Sequence, residues 1–392
     1  MRELRTVIVY TLLYILNSFS LKAADSLEVS LMTCSPGREV YALYGHTALR
    51  CTNYTAGWDI VFNYGIFNFN TPGFAWKFAL GECDYEVAAV PFEYFRMEYE
   101  ARGSAVIQQV LNLTTAEKET LLMALIENCK PENKTYRYNF LYDNCTTRVR
   151  DQIENALSGH VEYPSDTGKR TYRQIIHRYT RLHPWAQLGD DLCLGADADT
   201  LISVRDEMFA PLFMSDYADK AVIRDSTGTV RPLVLERKTV VHQRKICLED
   251  DNFLSPSFCV WLLFLLIIGL TGWEIRRNRM LWGLDLVLLT AQGAAGCIIA
   301  FLVGFSEHPT VGSNWQLWVL NPLPLCFLPR VIYGALTRKK VWYHYINAPS
   351  LTLFILFSPV IPQKFSVIIV PLALTLLVRS LSYIWFYKRN SL

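Results

Sequence analysis

From residue 253 to residue 387 the chain is a series of apolar runs separated by short polar breaks, a pattern suited to lipid rather than water. The runs lie near 254–273, 281–305, 316–336, 347–361 and 365–386. Crossing a bilayer takes about 20 apolar residues in a helix. The fourth run is short and carries Pro359 and Pro362, so it is the weakest span. The polar breaks carry the orientation. Arg276, Arg277 and Arg279 follow the first run, Arg338, Lys339 and Lys340 follow the third, and Lys388 with Arg389 follow the fifth. With residues 25–252 outside, five crossings put all three basic clusters on the cytoplasmic side, as the positive-inside rule requires.

The rest of the chain is of another kind. Residues 1–24 join Arg2 and Arg5 to a short apolar core ending at Leu16, the pattern of a secretory signal. Residues 25–252 have the mixed composition of a globular domain. The formal net charge is +2, and no basic block with interleaved aromatics points to nucleic acid. Export makes cysteines informative. Cys34, Cys51, Cys83, Cys129, Cys145, Cys193 and Cys247 lie in the exported part. Their odd number predicts up to three disulfides and one free thiol. Cys259, Cys297 and Cys326 read as small residues in apolar segments.

Within the exported part, strands are expected at 27–31, 40–51, 58–65, 106–111 and 230–241, the last returning toward the membrane. Thr114 with Glu117 forms a capping-box pattern ahead of Leu121, Leu122 and Leu125. Residues 74–78 and 85–95 hold more aromatic side chains than a small core needs. Residues 189–199 read as an acidic, glycine-bearing loop, and 207–221 as a helix with Pro211 early in it.

The chemistry centres on Cys145. Asp143 and Asn144 offer cap chemistry, and Val149, Ile153 and Leu157 recur at helical spacing, so Cys145 stands at the mouth of a helix. Unpaired N–H groups and the helix dipole lower a thiol's pKa there. The residue is either a nucleophile or half of a disulfide. A thiol nucleophile needs a base, and the base an orienting group. His46, beside Gly45 in a β-prone stretch, is the best base among the exported histidines; His160, His177, His183 and His242 read as surface residues. Asn63, Asp59 and Tyr64 on the next strand are candidates for the third residue. No cluster of side chains suggests a metal, and no cofactor is implied. In the membrane part, the loop with His308, Asn314 and Trp315 faces outward in the five-span topology and leads to Asn321, Pro322 and Pro324. Polar and kinked residues at membrane depth line cavities or meet protein. Each also has a plainer reading: a solvated loop histidine, interfacial anchoring or helix packing.

Gly45-His46 and Asn144-Cys145, with a polar residue on the intervening strand, resemble the circularly permuted papain-like (NlpC-type) enzymes. A longer resemblance is carried by Tyr44-Gly-His-Thr-Ala-Leu-Arg50, Asn63-Tyr-Gly-Ile-Phe-Asn-Phe69, Tyr138-Asn-Phe-Leu-Tyr-Asp-Asn-Cys-Thr-Thr-Arg148, His308-Pro309 and Asn314-Trp-Gln-Leu-Trp-Val-Leu-Asn-Pro322. These motifs are similar to those of the Lnb-type lipoprotein N-acyltransferases, and Asp191-Leu-Cys-Leu-Gly195 is similar to that family's Asp-Leu-x-Leu-Gly pattern. The resemblance implies an α+β exported domain of permuted papain-like fold, residues 25–252, and an all-α membrane domain, residues 253–392. It implies an inner-membrane protein with its catalytic domain in the periplasm. Cys145 would carry an acyl chain from a phospholipid donor to a diacylated lipoprotein, with His46 and Asn63 catalytic. Tyr64, Asp59, Asn144, Arg148, His308, Asn314, Trp315 and Asn321 would support or bind substrate. Two other functions fit the residues: an envelope cysteine amidase or peptidase with water as acceptor, and a disulfide-bonded membrane sensor with Cys145 oxidised.

Overall fold

The computed structural model describes residues 27–37, 39–67, 72–164, 169–244 and 254–390. The expected signal segment and Cys247 lie outside the described residues. The chain forms two compact units, and they are not contiguous blocks. One contains the chain up to Arg170 and again from Leu201; the other joins residues 171–200 to the apolar C-terminal part.

The first unit is built on strands β1 Leu27–Cys34, β2 His46–Asn53, β3 Trp58–Ile66, β4 Asp84–Pro91, β5 Val106–Leu111, β6 Thr135–Arg137 and β10 Val234–Val241. They form one antiparallel sheet in the order β10-β5-β1-β2-β3-β4-β6. A small second sheet holds β7 His160–Glu162, β8 Val222–Arg224 and β9 Val230–Pro232. Seven of the eight residues of β1 are buried, because it is central and covered on both faces. The expected strand at 230–241 divides at Leu233, and its longer half pairs with β5 at the sheet edge.

The helices of this unit are α1 Phe74–Leu80, α2 Phe92–Arg102, α3 Thr115–Asn128, α4 Cys145–Ala156, α7 Val204–Glu207 and α8 Pro211–Ala218. Phe95 and Tyr99 of α2 pack on Met32, Cys34, Ala48, Val61 and Val106. The capping box of α3 forms as expected: Glu117 N–H donates to Thr114 Oγ1 at 3.3 Å, and Thr114 N–H to Glu117 Oε2 at 2.8 Å. On the other face α4 packs on β2 and β3, its apolar residues Val149 and Ile153 fully covered.

The second unit contains α5 Tyr172–Thr180, α6 Pro184–Cys193, α9 Pro256–Arg277, α10 Trp282–Phe305, α11 Leu323–Thr337, α12 Trp342–Phe357 and α13 Ile369–Asn390. Among the described residues, four segments are long and apolar enough to cross a membrane: Pro256–Arg277, Trp282–Phe305, Trp315–Thr337 and Ile369–Arg389. The expected fourth span, read as short, is the 16-residue α12, with Pro349 inside it. At 1.5 Å per residue it rises about 24 Å, short of the ~30 Å apolar core of a bilayer. The three basic clusters gather at one end of this unit: Arg338 donates to the Asn278 carbonyl at 3.5 Å, and Tyr383 Oη donates to the Lys339 carbonyl.

Residues 171–200 occupy the opposite end. Gly189 to Cys193, expected as loop, complete α6, and Ala196–Asp199 forms a 3-10 turn. The segment is locked around buried Arg173, which meets Asp191 Oδ1 at 2.8 Å, Asp199 Oδ1 at 3.0 Å, and the Leu194 and Gly195 carbonyls at 3.0 Å each. It is bonded to the loops between membrane helices: Gly195 N–H to Thr310 O at 2.7 Å, Ala196 N–H to Ser313 O at 2.9 Å, and Gln363 Nε2 to Leu194 O at 3.1 Å.

Among the described residues no disulfide is seen, which corrects the expectation of up to three. Cys34 and Cys51 lie inside the sheet as small buried residues, and burial raises both thiols; burial likewise pushes Cys129 up to about 12. Denaturing alkylation without reductant is therefore expected to label Cys34, Cys51, Cys83, Cys129, Cys145 and Cys193 alike. Intact mass reads the number of adducts, and a deficit of two would reveal a pair.

Candidate active site

Cys145 is the first residue of α4 and is held by its cap. Asn144 Oδ1 accepts from the Thr146 and Thr147 N–H groups at 2.8 and 3.0 Å, while its Nδ2 donates to the Phe140 and Phe209 carbonyls at 2.8 and 2.9 Å. With Asn144 N–H donating to Thr147 Oγ1 at 2.8 Å, one buried side chain fixes the turn on both sides of the cysteine. Arg148 sits one turn along, paired with Asp143 at 2.6 and 2.8 Å and stacked over the Tyr136 ring at 3.7 Å.

His46 opens β2 directly after Gly45, whose φ is 77°. Its Nε2 is 2.5 Å from Asn63 Oδ1 on the neighbouring strand, and its ring is hydrogen-bonded to the Cys145 thiol. Thr47 Oγ1 lies 3.1 Å from Thr146 Oγ1, which ties β2 to the start of α4. Cys145, His46 and Asn63 thus form one chain of thiol, imidazole and amide, an arrangement that can serve as nucleophile, base and orienting group.

The electrostatics favour an ion pair. Burial alone would raise the Cys145 thiol. The charge of His46, the hydrogen bond to its ring, the Thr47 N–H and the Thr146 hydroxyl outweigh that burial, and the thiol is lowered from the ordinary 9.0. Burial alone would lower His46, but the charge of Cys145 and the bonds to Cys145 and Asn63 raise it above 6.5. Both residues remain partly accessible.

The other third-residue candidates are otherwise engaged. Asp59 is held by Arg50 at 2.6 and 2.8 Å and accepts from Thr52 Oγ1 at 3.1 Å. Tyr64 turns into the core against Tyr136, with ring centroids 6.3 Å apart, and burial raises its hydroxyl. In the second unit Asn314 is a buried cap: it accepts from Gln316 N–H at 3.1 Å and donates to Leu192 O at 2.8 Å. Trp315 N–H donates to Gln363 Oε1 at 2.8 Å, and Asn321 Oδ1 accepts from Leu323 N–H at 3.2 Å. His308 lies in the loop after α10, its N–H donating to Ser306 Oγ at 3.3 Å.

Two features received no role from the sequence. Gly65, with φ 88°, lies against the nucleophile: a Cβ there would stand 3.6 Å from Cys145 Cβ. The signal was present as a glycine two residues beyond Asn63. The second is an aromatic strip. Tyr138, whose hydroxyl is raised by burial and then by the neighbouring Cys145 charge, stacks on Tyr85 at 4.1 Å. Tyr85 stacks on Phe67 at 4.9 Å, Phe67 on Phe74 at 6.0 Å, and Phe74 on Phe78 at 6.1 Å.

Compared with known families, residues 20–178 match the Lnb N-terminal periplasmic domain and residues 248–390 match the Lnb transmembrane domain. The two matches, in this order, support an Lnb-type family and a membrane protein with a periplasmic domain. No curated protein and no solved structure gives a significant match.

Proposed function

We propose that this Lnb-type membrane protein is a thiol acyltransferase that N-acylates lipoproteins. The observation that carries the reading is the Cys145–His46–Asn63 relay at a helix start, in a chain that also holds membrane-spanning helices. The Cys145 thiolate attacks an ester carbonyl of a phospholipid. The ester C–O bond breaks, the His46 imidazolium gives its proton to the departing lysophospholipid oxygen, and an acyl thioester remains. The α-amine of a diacylglyceryl cysteine then attacks the thioester. His46 takes a proton from that amine, the C–S bond breaks, and an amide leaves.

The oxyanion donors in this reading differ from a simple helix terminus. Asn144 occupies the Thr146 and Thr147 N–H groups, whereas the Thr47 N–H is aimed at the Cys145 sulfur. We assign the oxyanion to the Thr47 side. The order of histidine before cysteine, with the histidine opening a strand and the cysteine opening a helix, fits a permuted papain-like arrangement. The basic end of the membrane unit fits a cytoplasmic face, and this reading takes the bilayer as the inner membrane, with its outer leaflet supplying both lipid substrates.

The test is the N-terminus of lipoproteins in cells that lack any other N-acyltransferase. Mass spectra are expected to show triacylated cysteine with the wild-type chain and a free α-amine with Cys145→Ser. Triacylation that persists in Cys145→Ser would end the thioester reading.

A further inference from the structure

Helix α1 (Phe74–Leu80) is unlike the other helices of its unit. None of its residues is buried, and Trp76 and Phe78 are 59% and 48% exposed. It is bracketed by Gly73 and Gly81, both left-handed with φ of 71° and 81°, so the chain breaks sharply at each end. Its sequence, FAWKFAL, holds one charge, Lys77, and no acidic residue. Phe74 joins it to the stacked strip through Phe67 and Tyr85 to Tyr138, and Phe67 follows by two residues Gly65, where an added Cβ would stand 3.6 Å from Cys145 Cβ. An apolar surface of this kind is unfavourable in water and marks an interaction site.

We propose that α1 lies in the headgroup region of the membrane and that the strip from Phe74 to Tyr138 receives one lipid acyl chain. A bilayer is the constant neighbour of this unit, because the same chain carries the spanning helices. Trp and Phe side chains with a lysine between them match an interfacial helix: the rings sit at the acyl boundary, and the ammonium reaches outward to lipid phosphate. Phe74 and Phe67 form the outer end of the row of ring contacts, and Tyr85, 7% exposed, forms its inner end, so a hydrocarbon chain seated on Phe74 and Phe67 is directed toward the protein interior. The delivery of that chain to Cys145 rests on the thioester reading; the contact of α1 with lipid does not.

The experiment uses the full chain in phospholipid nanodiscs, with the photoreactive residue p-benzoylphenylalanine placed at position 76 or, as the comparison, at position 123. Met123 is 64% exposed on α3. After illumination, intact mass is expected to rise by one phospholipid for the chain labelled at position 76 and to stay unchanged for the chain labelled at 123. No lipid adduct at 76, an adduct to protein instead, or equal adducts at both positions would overturn the proposal. Hydroxylamine-labile acylation of wild-type Cys145 is read separately. A lipid adduct at 76 in a protein that never acylates Cys145 keeps the surface and removes the thioester reading. Acylated Cys145 without the adduct does the reverse.

Discussion

With His46 replaced by alanine, acyl transfer is expected to fall by roughly 10²–10⁴-fold, the usual worth of a positioned general base. The same variant is expected to move the pH at which Cys145 becomes reactive. Two of the influences that lower the thiol, the charge of His46 and its hydrogen bond, vanish with the ring, leaving only the Thr47 N–H and the Thr146 hydroxyl against what burial remains. The midpoint for alkylation should therefore move up from its wild-type position, which lies below the ordinary 9.0. At neutral pH the thiolate fraction falls, so iodoacetamide labelling of Cys145 slows although access to the sulfur is greater. Asn63→Ala keeps the ring and loses only its bond at Nε2, so it should shift the midpoint less than His46→Ala. The check is the rate of Cys145 labelling against pH by peptide mass spectrometry. Coincident profiles for wild type and His46→Ala would show that the two side chains are not coupled.

What could be read from the sequence was local. The Thr114–Glu117 box, the Asn144 cap and the strands expected at 27–31 and 58–65, observed at 27–34 and 58–66, follow from neighbours a few residues apart. Long apolar helices follow from composition alone, and the fourth, read as short, is short; its helix is displaced toward the N-terminus of the run, beginning at Trp342 and ending at Phe357. The third residue was legible as a position on β3 but not as a choice. Asn63 and Asp59 lie on one strand, and only the register with β2 and the claim of Arg50 on Asp59 separate them. Disulfides were expected from compartment and parity; the sheet instead uses Cys34 and Cys51 as small buried residues. The placement of residues 171–200 with the membrane unit was beyond reach. It depends on Arg173 finding Asp191 and Asp199, and on partners such as Ser313 and Gln363 more than a hundred residues away. Such long-range pairings leave no periodicity in the chain.

Arg379→Met is expected to destabilise the membrane unit by about 3–5 kcal/mol, the cost of breaking a buried ion pair from one side. Arg379 on α13 binds Asp285 of α10 through two bonds of 2.8 and 2.9 Å, Glu274 of α9 through two more, and Thr271 Oγ1 at 3.0 Å. Glu274 and Asp285 are 0% and 4% exposed, so neither carboxylate can turn to water when the guanidinium is lost. Methionine fills a similar volume without a charge. The loss therefore arises from two stranded carboxylates rather than from a cavity. That origin gives the prediction its control. Removing all three charges together, in Arg379→Met with Glu274→Gln and Asp285→Asn, should recover most of the lost stability, because a buried network and its uncharged replacement are often close in free energy. Thermal unfolding of the full chain in detergent reads both. An unchanged midpoint for Arg379→Met would mean that the helices hold together by packing alone. A triple variant no better than the single one would place the loss in the arginine's own contacts with α9 and α10 rather than in the charges it leaves behind.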